Sequence, residues 1–362
     1  MAETSRQLAA IRDEIDALDA KIQALITRRA VLSQEVAMAK RVAGETRDFY
    51  RPEREMAVLR QVQARNRGPL PDEAMLRLFR EMMASSLALQ QPLKIAVLGP
   101  AGTFSQEAAH KQFGQAVDTL LLAAIDEVFR EVEAGAADYG VVPVENSTEG
   151  SVSLTLDRLI HSPLRICAEV DLRIRQNLLT RSEHLDAIGT VFAHRQSLAQ
   201  CREWLDARLP QARRIAVNSN SEGARRAAGQ ADAAAIASRT AARIYGLRVL
   251  QESIEDEPNN TTRFAVIGQH AVDRTGADKT SLLLSLDNRP GALFGMLEPF
   301  ARHGLDMTRI ESRPARNGAW DYLFFIDVLG HQSEPPMQAA MAELQQVATL
   351  FRVLGSYPRG LA

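Results

Sequence analysis

The sequence predicts a multi-domain chain: an all-α helical bundle, then a two-lobed α/β unit, then a small α+β unit. Three observations predict it. Residues 1–91 read as helix, with apolar residues at heptad spacing. From Lys94 to about Gly268, short apolar runs alternate with helical stretches. From Thr280 onward the order reads βαββαβ.

The composition is compatible with this. A chain of 362 residues predicts two or three domains. Hydrophobic residues make up 46% and charged residues 24%, the balance of a globular protein. Lys plus Arg total 43 and Asp plus Glu total 45, a net charge of -2, so no nucleic-acid partner is expected. Cys167 and Cys201 are the only cysteines and form no CxxC pair, which argues against a disulfide scaffold and a cysteine-rich zinc site. The opening MAETSRQLAAIRDEID has no apolar h-region, and no stretch approaches 18 apolar residues. A cytoplasmic protein without a signal peptide or membrane span is expected.

In the first zone, Leu8, Ile11, Ile15, Leu18, Ile22, Leu25, Leu32 and Val36 make an a/d stripe. The helix should run from about Ser5 to Arg41, roughly 55 Å. A helix so long cannot bury its stripe within a 90-residue monomer, so a partner chain is implied. Arg29 occupies the seam between Leu25 and Leu32, where an unpaired charge is costly. Lys40, 11 residues on, returns to within roughly 20° of Arg29. Two cations on one inward face suit a small dianion. Arg12 turns about 100° away and reads as a solvated residue or as a contribution to the partner's pocket. Glu55 shares a stripe with Leu59 and Val62. Ser86 and Gln90 continue the stripe of Phe79 and Met83. Together these make a polar pocket inside a helical bundle, without a metal-like cluster.

This pattern resembles the all-helical chorismate mutase family over about residues 5–91. The resemblance implies that Arg29 and the partner chain's Arg12 hold substrate carboxylates. Lys40 and Gln90 would address the ether oxygen, Glu55 the hydroxyl, and Ser86 would assist a carboxylate. Arg51 stands where the family often has an acid and is carried into the site; Asp48 is the alternative acid in another register.

In the second zone, KIAVLG (Lys94–Gly99) is a strand that runs into GPAGTFS and a helix, an anion site in outline. It lacks a P-loop or a dinucleotide fingerprint, so no nucleotide is predicted. YGVVPVENSTEG is a buried strand opening into a polar loop. VFAHRQSLAQC is a strand ending at His194, then a helix. EDEPNNTTRFAVIG is a polar loop feeding a strand that starts near Thr261 and Thr262. Taken singly, each is also an ordinary turn or helix cap, and His194 alone is more often structural. Four such loops at strand ends suggest one crevice. The chain's return to a strand at Phe264–Ile267 suggests two lobes joined by crossing connections, which resembles the type II periplasmic-binding-protein architecture.

GPAGTFS, VPVENSTEG, AHRQSLAQC and NNTTRF, in this order, resemble prephenate dehydratase. Arg195 stands where that family commonly has proline. The resemblance implies that Thr262 is the essential residue, by orientation or hydrogen bonding rather than full proton transfer. Thr103, Ser105, Asn146 and Ser147, with the Gly102–Ser105 backbone, are the candidate anchors. Arg263 is equally consistent with a structural ion pair and stays outside the catalytic set.

Residues 270–279, HAVDRTGADK, read as a linker. Beyond it, strands are expected at Thr280–Leu286, Leu305–Ser312 and Trp320–Gly330, with a last short one at Phe351–Tyr357. Helices are expected at Pro290–His303 and Pro335–Leu350. The order is ferredoxin-like. NRPGAL and ESRP resemble an ACT domain of the phenylalanine-binding kind. That implies a pocket between two such domains, with Asn288, Gly291, Ala292, Leu293, Glu311 and Ser312 lining it.

Domains are thus expected at 1–91, 94–269 and 279–362. The whole chain resembles the bifunctional P-protein family, chorismate mutase–prephenate dehydratase with a phenylalanine sensor. The resemblance implies chorismate and prephenate as substrates, phenylalanine as allosteric inhibitor, a homodimer or higher oligomer, and no metal or organic cofactor.

Overall fold

The computed structural model describes residues 2–44, 50–287, 289–314 and 322–360. It divides into two compact units: residues 1–51, 58–93 and 113–117, and residues 52–57, 94–112 and 118–362.

The first unit is helical. It holds α1 (Ala2–Val42), α3 (Asp72–Ala88) and, between them, α2 (Pro52–Arg65) from residue 58 on, the first six residues of α2 being counted with the second unit. Pro52 at the start of α2 costs no hydrogen bond, and Glu53 and Glu55 in its first turn suit the helix dipole. The heptad stripe of α1 faces outward in the single chain: its eight residues, Leu8 to Val36, are 44–70% exposed. Gln90 departs from the expected helical stripe. α3 stops at Ala88, and Gln90 lies in the turn beyond it.

The second unit begins with β1 (Lys94–Leu98), α4 (Phe104–Phe113), β2 (Asp118–Leu122), α5 (Ile125–Glu133), β3 (Tyr139–Asn146), β4 (Gly150–Ser151), α6 (Ser153–His161) and β5 (Arg165–Arg173). The chain then crosses to β6 (Asn177–Thr180), β7 (Thr190–His194), α7 (Arg195–Gln200), α8 (Arg202–Arg208), β8 (Arg213–Val217), α9 (Asn220–Ala227), β9 (Ala233–Ala237), α10 (Arg239–Tyr245) and β10 (Arg248–Gln251). It returns as β11 (Thr261–Gly268). The first lobe's sheet has the order β2-β1-β3-β11-β5, with β4 added to β3; the second has β10-β6-β9-β7-β8. Two connections, 174–176 and 252–260, join the lobes, as the returning strand predicts. In the second lobe, β9 is four alanines and one isoleucine, AAAIA, all buried, and α9 packs close over this sheet. Gly223 makes that approach possible: a Cβ there would lie 2.9 Å from the Phe192 carbonyl oxygen.

The C-terminal part is β12 (Asp278–Leu286), α11 (Ala292–Arg302), β13 (Met307–Pro314), β14 (Tyr322–Leu329), α12 (Pro335–Val347) and β15 (Leu350–Pro358). The order βαββαβ is the expected one, and the antiparallel sheet runs β13-β14-β12-β15. Several boundaries differ: β13 runs Met307–Pro314 and not Leu305–Ser312, and α12 stops at Val347, with Leu350 already in the last strand. α11 starts at Ala292 because Gly291 is left-handed, with φ 80°. The last strand is not short: β15 has nine residues and pairs along β12. The linker is also shorter, since Asp278 and Lys279 already belong to β12. A Cβ at Gly355 of β15 would run into the Ile166 carbonyl of β5. One apolar core therefore takes Ala96, Val142, Phe129 and Ala265 from the first lobe and Leu283, Phe325, Leu354 and Tyr357 from the C-terminal sheet. Among the described residues, no helix is long and apolar enough to cross a membrane.

Candidate active sites

In the helical unit, α1 and α3 bring two of the expected residues together. Arg29 Nη1 donates to Ser86 Oγ at 2.7 Å, and Ser86 donates onward to the Met82 carbonyl at 2.8 Å. The Ser86 proton is thus spent within α3, so in this arrangement Ser86 orients Arg29 instead of offering a donor to a carboxylate. Burial lowers the Arg29 pKa from the ordinary arginine value, while the group stays charged. Lys40 is half-buried on the same helix, as the 11-residue spacing requires. Arg41 donates to the Gln90 carbonyl at 3.0 Å, which ties the chain after α3 to the end of α1. Arg12 is exposed. Arg51 is exposed at the N-cap of α2, and Glu55 is half-buried one turn later. Asp48 lies outside the described residues.

In the larger unit, β3 and β11 are neighbours in register, with Asn146 opposite Thr262. Asn146 Nδ2 donates to Thr262 Oγ1 and to Asn260 Oδ1, both at 2.8 Å. Its Oδ1 accepts from the backbone of Thr148 at 3.0 Å and Glu149 at 3.2 Å. The amide is saturated and its orientation fixed. Thr262 accepts one hydrogen bond there, and no described residue accepts its proton. Ser147 ties the same loops together: its N–H donates to the Thr261 carbonyl at 2.9 Å, and its Oγ accepts from the Thr261 N–H at 3.0 Å.

The glycine-rich loop departs from a simple anion cradle. The Gly102 N–H is taken by Gln106 Oε1 at 2.7 Å. Thr103 Oγ1 donates to the Leu98 carbonyl at 2.8 Å and accepts from the Gln106 N–H. The Thr103 hydroxyl is therefore committed to the turn, while Ser105 lies buried in the first turn of α4. The loop reaches the second lobe: Ser238 donates to the Gly102 carbonyl at 2.8 Å, and Tyr245 to the Ala101 carbonyl at 3.0 Å. A Cβ at Gly102 would meet Ala241 at 2.9 Å, so only glycine permits this approach.

Sequence reasoning missed a second polar cluster. Gln176 Nε2 donates to Ser197 Oγ at 3.1 Å and to Gln200 Oε1 at 3.2 Å. Asn220 Nδ2 donates to Ser197 Oγ at 2.7 Å, and Asn220 Oδ1 accepts from the His194 N–H at 2.8 Å. The Gln176 N–H donates to Glu255 at 2.9 Å. Gln176 and Glu255 sit on the two crossing connections, so this cluster lies where the lobes join. Its only signal was AHRQSLAQC, which holds Ser197 and Gln200. His194 itself caps α7, accepting from the Gln196 N–H, which is the structural reading of that residue. Cys167 and Cys201 are buried and in no disulfide, and burial pushes the Cys201 thiol well up. Among the described residues, no group of His, Cys, Asp or Glu is arranged to hold a metal ion.

On the C-terminal sheet, Gly291 and Leu293 are exposed at the start of α11, with Ala292 half-buried. Gly291 has open space where a Cβ would stand. Glu311 and Ser312 lie on β13, an edge strand whose exposure alternates residue by residue. Asn288 lies outside the described residues.

Comparison with known proteins joins these sites. Family models match as chorismate mutase type II over residues 11–91, prephenate dehydratase over 95–272 and ACT domain over 280–346. A bifunctional chorismate mutase/prephenate dehydratase of Pseudomonas aeruginosa is 51% identical, with 98% of each chain covered. The chain belongs to the bifunctional chorismate mutase/prephenate dehydratase family. The protein of the same description from Neisseria gonorrhoeae is also 51% identical, with 96% of each chain covered. Among solved structures, the prephenate dehydratase of Arthrobacter aurescens in complex with L-Phe matches with a TM-score of 0.68 and 36% identity. That match covers 74% of this chain and 90% of the other. In this family the helical unit carries the mutase part and the two-lobed cleft the dehydratase part.

Proposed function

We propose that this enzyme rearranges chorismate to prephenate, converts prephenate to phenylpyruvate, and is inhibited by the phenylalanine to which that product leads. The observation that carries the dehydratase reading is the Asn146–Thr262 contact: a saturated amide aims a buried hydroxyl whose own proton is uncommitted. In the reaction the ring carboxylate leaves as carbon dioxide. Its electron pair closes the aromatic ring, and the ring hydroxyl departs as hydroxide, becoming water on protonation. Thr262 donates a hydrogen bond to that departing oxygen, a role that needs no shifted pKa. Ser147 and Ser105 serve as anchors for the remaining carboxylate, and the Gln176–Ser197–Asn220 cluster lines the second lobe's side.

The mutase reaction is unimolecular and needs no nucleophile. Its catalyst holds two carboxylates in the compact conformer and stabilises charge growing on the ether oxygen. Arg29, braced by Ser86, takes one carboxylate, and the partner chain's Arg12 the other. Lys40 and Gln90 address the ether oxygen, and Arg51 adds a cation at the edge. Glu55 keeps the role implied by the resemblance, accepting the substrate hydroxyl. The exposed stripe of α1 supports a homodimer through this helix. Gly291, Ala292, Leu293, Glu311 and Ser312, with Asn288, form the phenylalanine site. Two buried cysteines outside any disulfide fit the reducing cytoplasm.

A product assay tests the whole reading. Purified protein is given chorismate, then prephenate, each with and without phenylalanine. Turnover of both, with prephenate turnover suppressed by phenylalanine, is the expected result. Turnover of prephenate alone would mean that Arg51 marks a disabled mutase. Turnover of neither would leave a binding protein.

A further inference from the structure

The residues next to the Asn146–Thr262 pair repeat the pairing on the other face of the sheet. Glu145 precedes Asn146 on β3, Arg263 follows Thr262 on β11, and the two stand opposite each other. Arg263 Nη2 donates to Glu145 Oε2 at 3.2 Å, and Nη1 donates to Asp327 Oδ2 at 2.6 Å. Asp327 belongs to β14 of the C-terminal sheet, where Ser281 also donates to it, at 2.6 Å. Arg309 of β13 brings its Nε to 3.0 Å from Glu145 Oε2. Lys279 of β12 reaches Glu169 of β5 at 2.6 Å, and Glu169 lies 3.8 Å from Arg263. Three cations and three carboxylates thus knit the back of the catalytic strands to the sensor sheet.

Arg263, Glu169, Arg309 and Asp327 line a cavity of about 20 Å³, too small for a metabolite, so the cluster is no ligand site. Buried ion pairs are also a poor device for stability, because desolvation offsets the attraction. What a forked guanidinium gives is geometry, two hydrogen bonds in fixed directions. We propose that Arg263 is a positioning residue for the dehydratase reaction. By tying Glu145 to Asp327, it sets the approach of Asn146 to Thr262 and makes the C-terminal sheet part of the active site's support. The proposal rests on the reading of Asn146 and Thr262 as dehydratase residues.

The test uses the full chain carrying Asp327→Asn, which keeps the shape and weakens the anchor. We expect kcat on prephenate to fall at least tenfold with KM within twofold, and chorismate turnover to be unchanged. In an Asn146→Ala background the same change should cost less than twofold, since its route of action is already gone. A purely structural role would move the melting temperature without that split or that non-additivity. Should the asparagine variant not fold, Arg263→Lys serves instead: it keeps the charge but loses the fork, and should lower kcat at least threefold. Full kcat in a folded variant, or equal losses in both backgrounds, overturns the proposal while the parent still turns over prephenate. No turnover by the parent overturns the reading of the cleft, and the proposal with it.

Discussion

Thr262 carries the sharpest expectation at the scale of single residues. Removing one aimed hydrogen-bond donor from a preorganised site costs about 10²–10³-fold in kcat. Thr262→Ala should lose that much prephenate turnover and spare chorismate, and Thr262→Ser should recover part of it. Equal rates for parent and alanine variant would reject the assignment. Arg29→Ala should show the mirror image, with chorismate turnover lost and dehydration of supplied prephenate intact. Asp327 adds a pH dependence. Burial pushes its carboxyl up, but Arg263 and the Ser281 hydroxyl outweigh that and hold it below the ordinary carboxylate value. Its folded pKa is therefore lower than its unfolded one, about 3.9. The stability this charge contributes is present above that pH and is lost as pH falls through the folded value. Asp327→Asn should flatten the acid limb of melting temperature against pH, and a limb parallel to the parent's would count against this account.

At the scale of elements, the exposed stripe of α1 is what the proposed homodimer rests on. Its eight stripe residues are 44–70% exposed, and covering each is worth on the order of 1 kcal/mol. Ile15→Glu with Leu18→Glu should give a monomer by light scattering that loses chorismate turnover and keeps prephenate turnover. A dimer that survives both changes would place the interface elsewhere. This stripe, and the Arg29 and Lys40 that interrupt it, were legible because helical periodicity is local. So were the strands that end at Asn146 and His194 and the one that begins at Thr261, each bounded by its own turn residues. What depended on distant chain was not legible. The cluster of Gln176, Ser197 and Asn220 forms only when a crossing connection meets two strand ends. The extra length of β12 and β15 comes from packing on β5, which the polar run at 270–279 conceals. The sequence reads Ser86 as assisting a substrate carboxylate; that its hydroxyl donates to the Met82 carbonyl of its own helix is visible only in the structure.

Across the whole molecule, the C-terminal sheet shares its core with the dehydratase lobe and is not hung from it on a tether. Phe325, Leu354 and Tyr357 pack into the same cluster as Val142 and Ala265, the latter two on β3 and β11. A ligand that shifts this sheet must shift the support of the strands bearing Asn146 and Thr262, or pay for separating a common core. Interiors packed at this density switch between discrete arrangements rather than deform smoothly. Phenylalanine bound at the start of α11 and the edge strand β13 should therefore suppress prephenate turnover, by a coupling of about 1–3 kcal/mol, or 5–150-fold. Gly291 gives the test a handle. Its φ of 80° is one that a side chain resists, and a branched residue there would displace the start of α11. Gly291→Val should abolish phenylalanine binding by calorimetry and inhibition together, while prephenate turnover without phenylalanine stays within twofold of the parent. Inhibition that persists in this variant would put the phenylalanine site elsewhere. Binding that persists without inhibition would instead put Gly291 on the route between the sheet and the cleft.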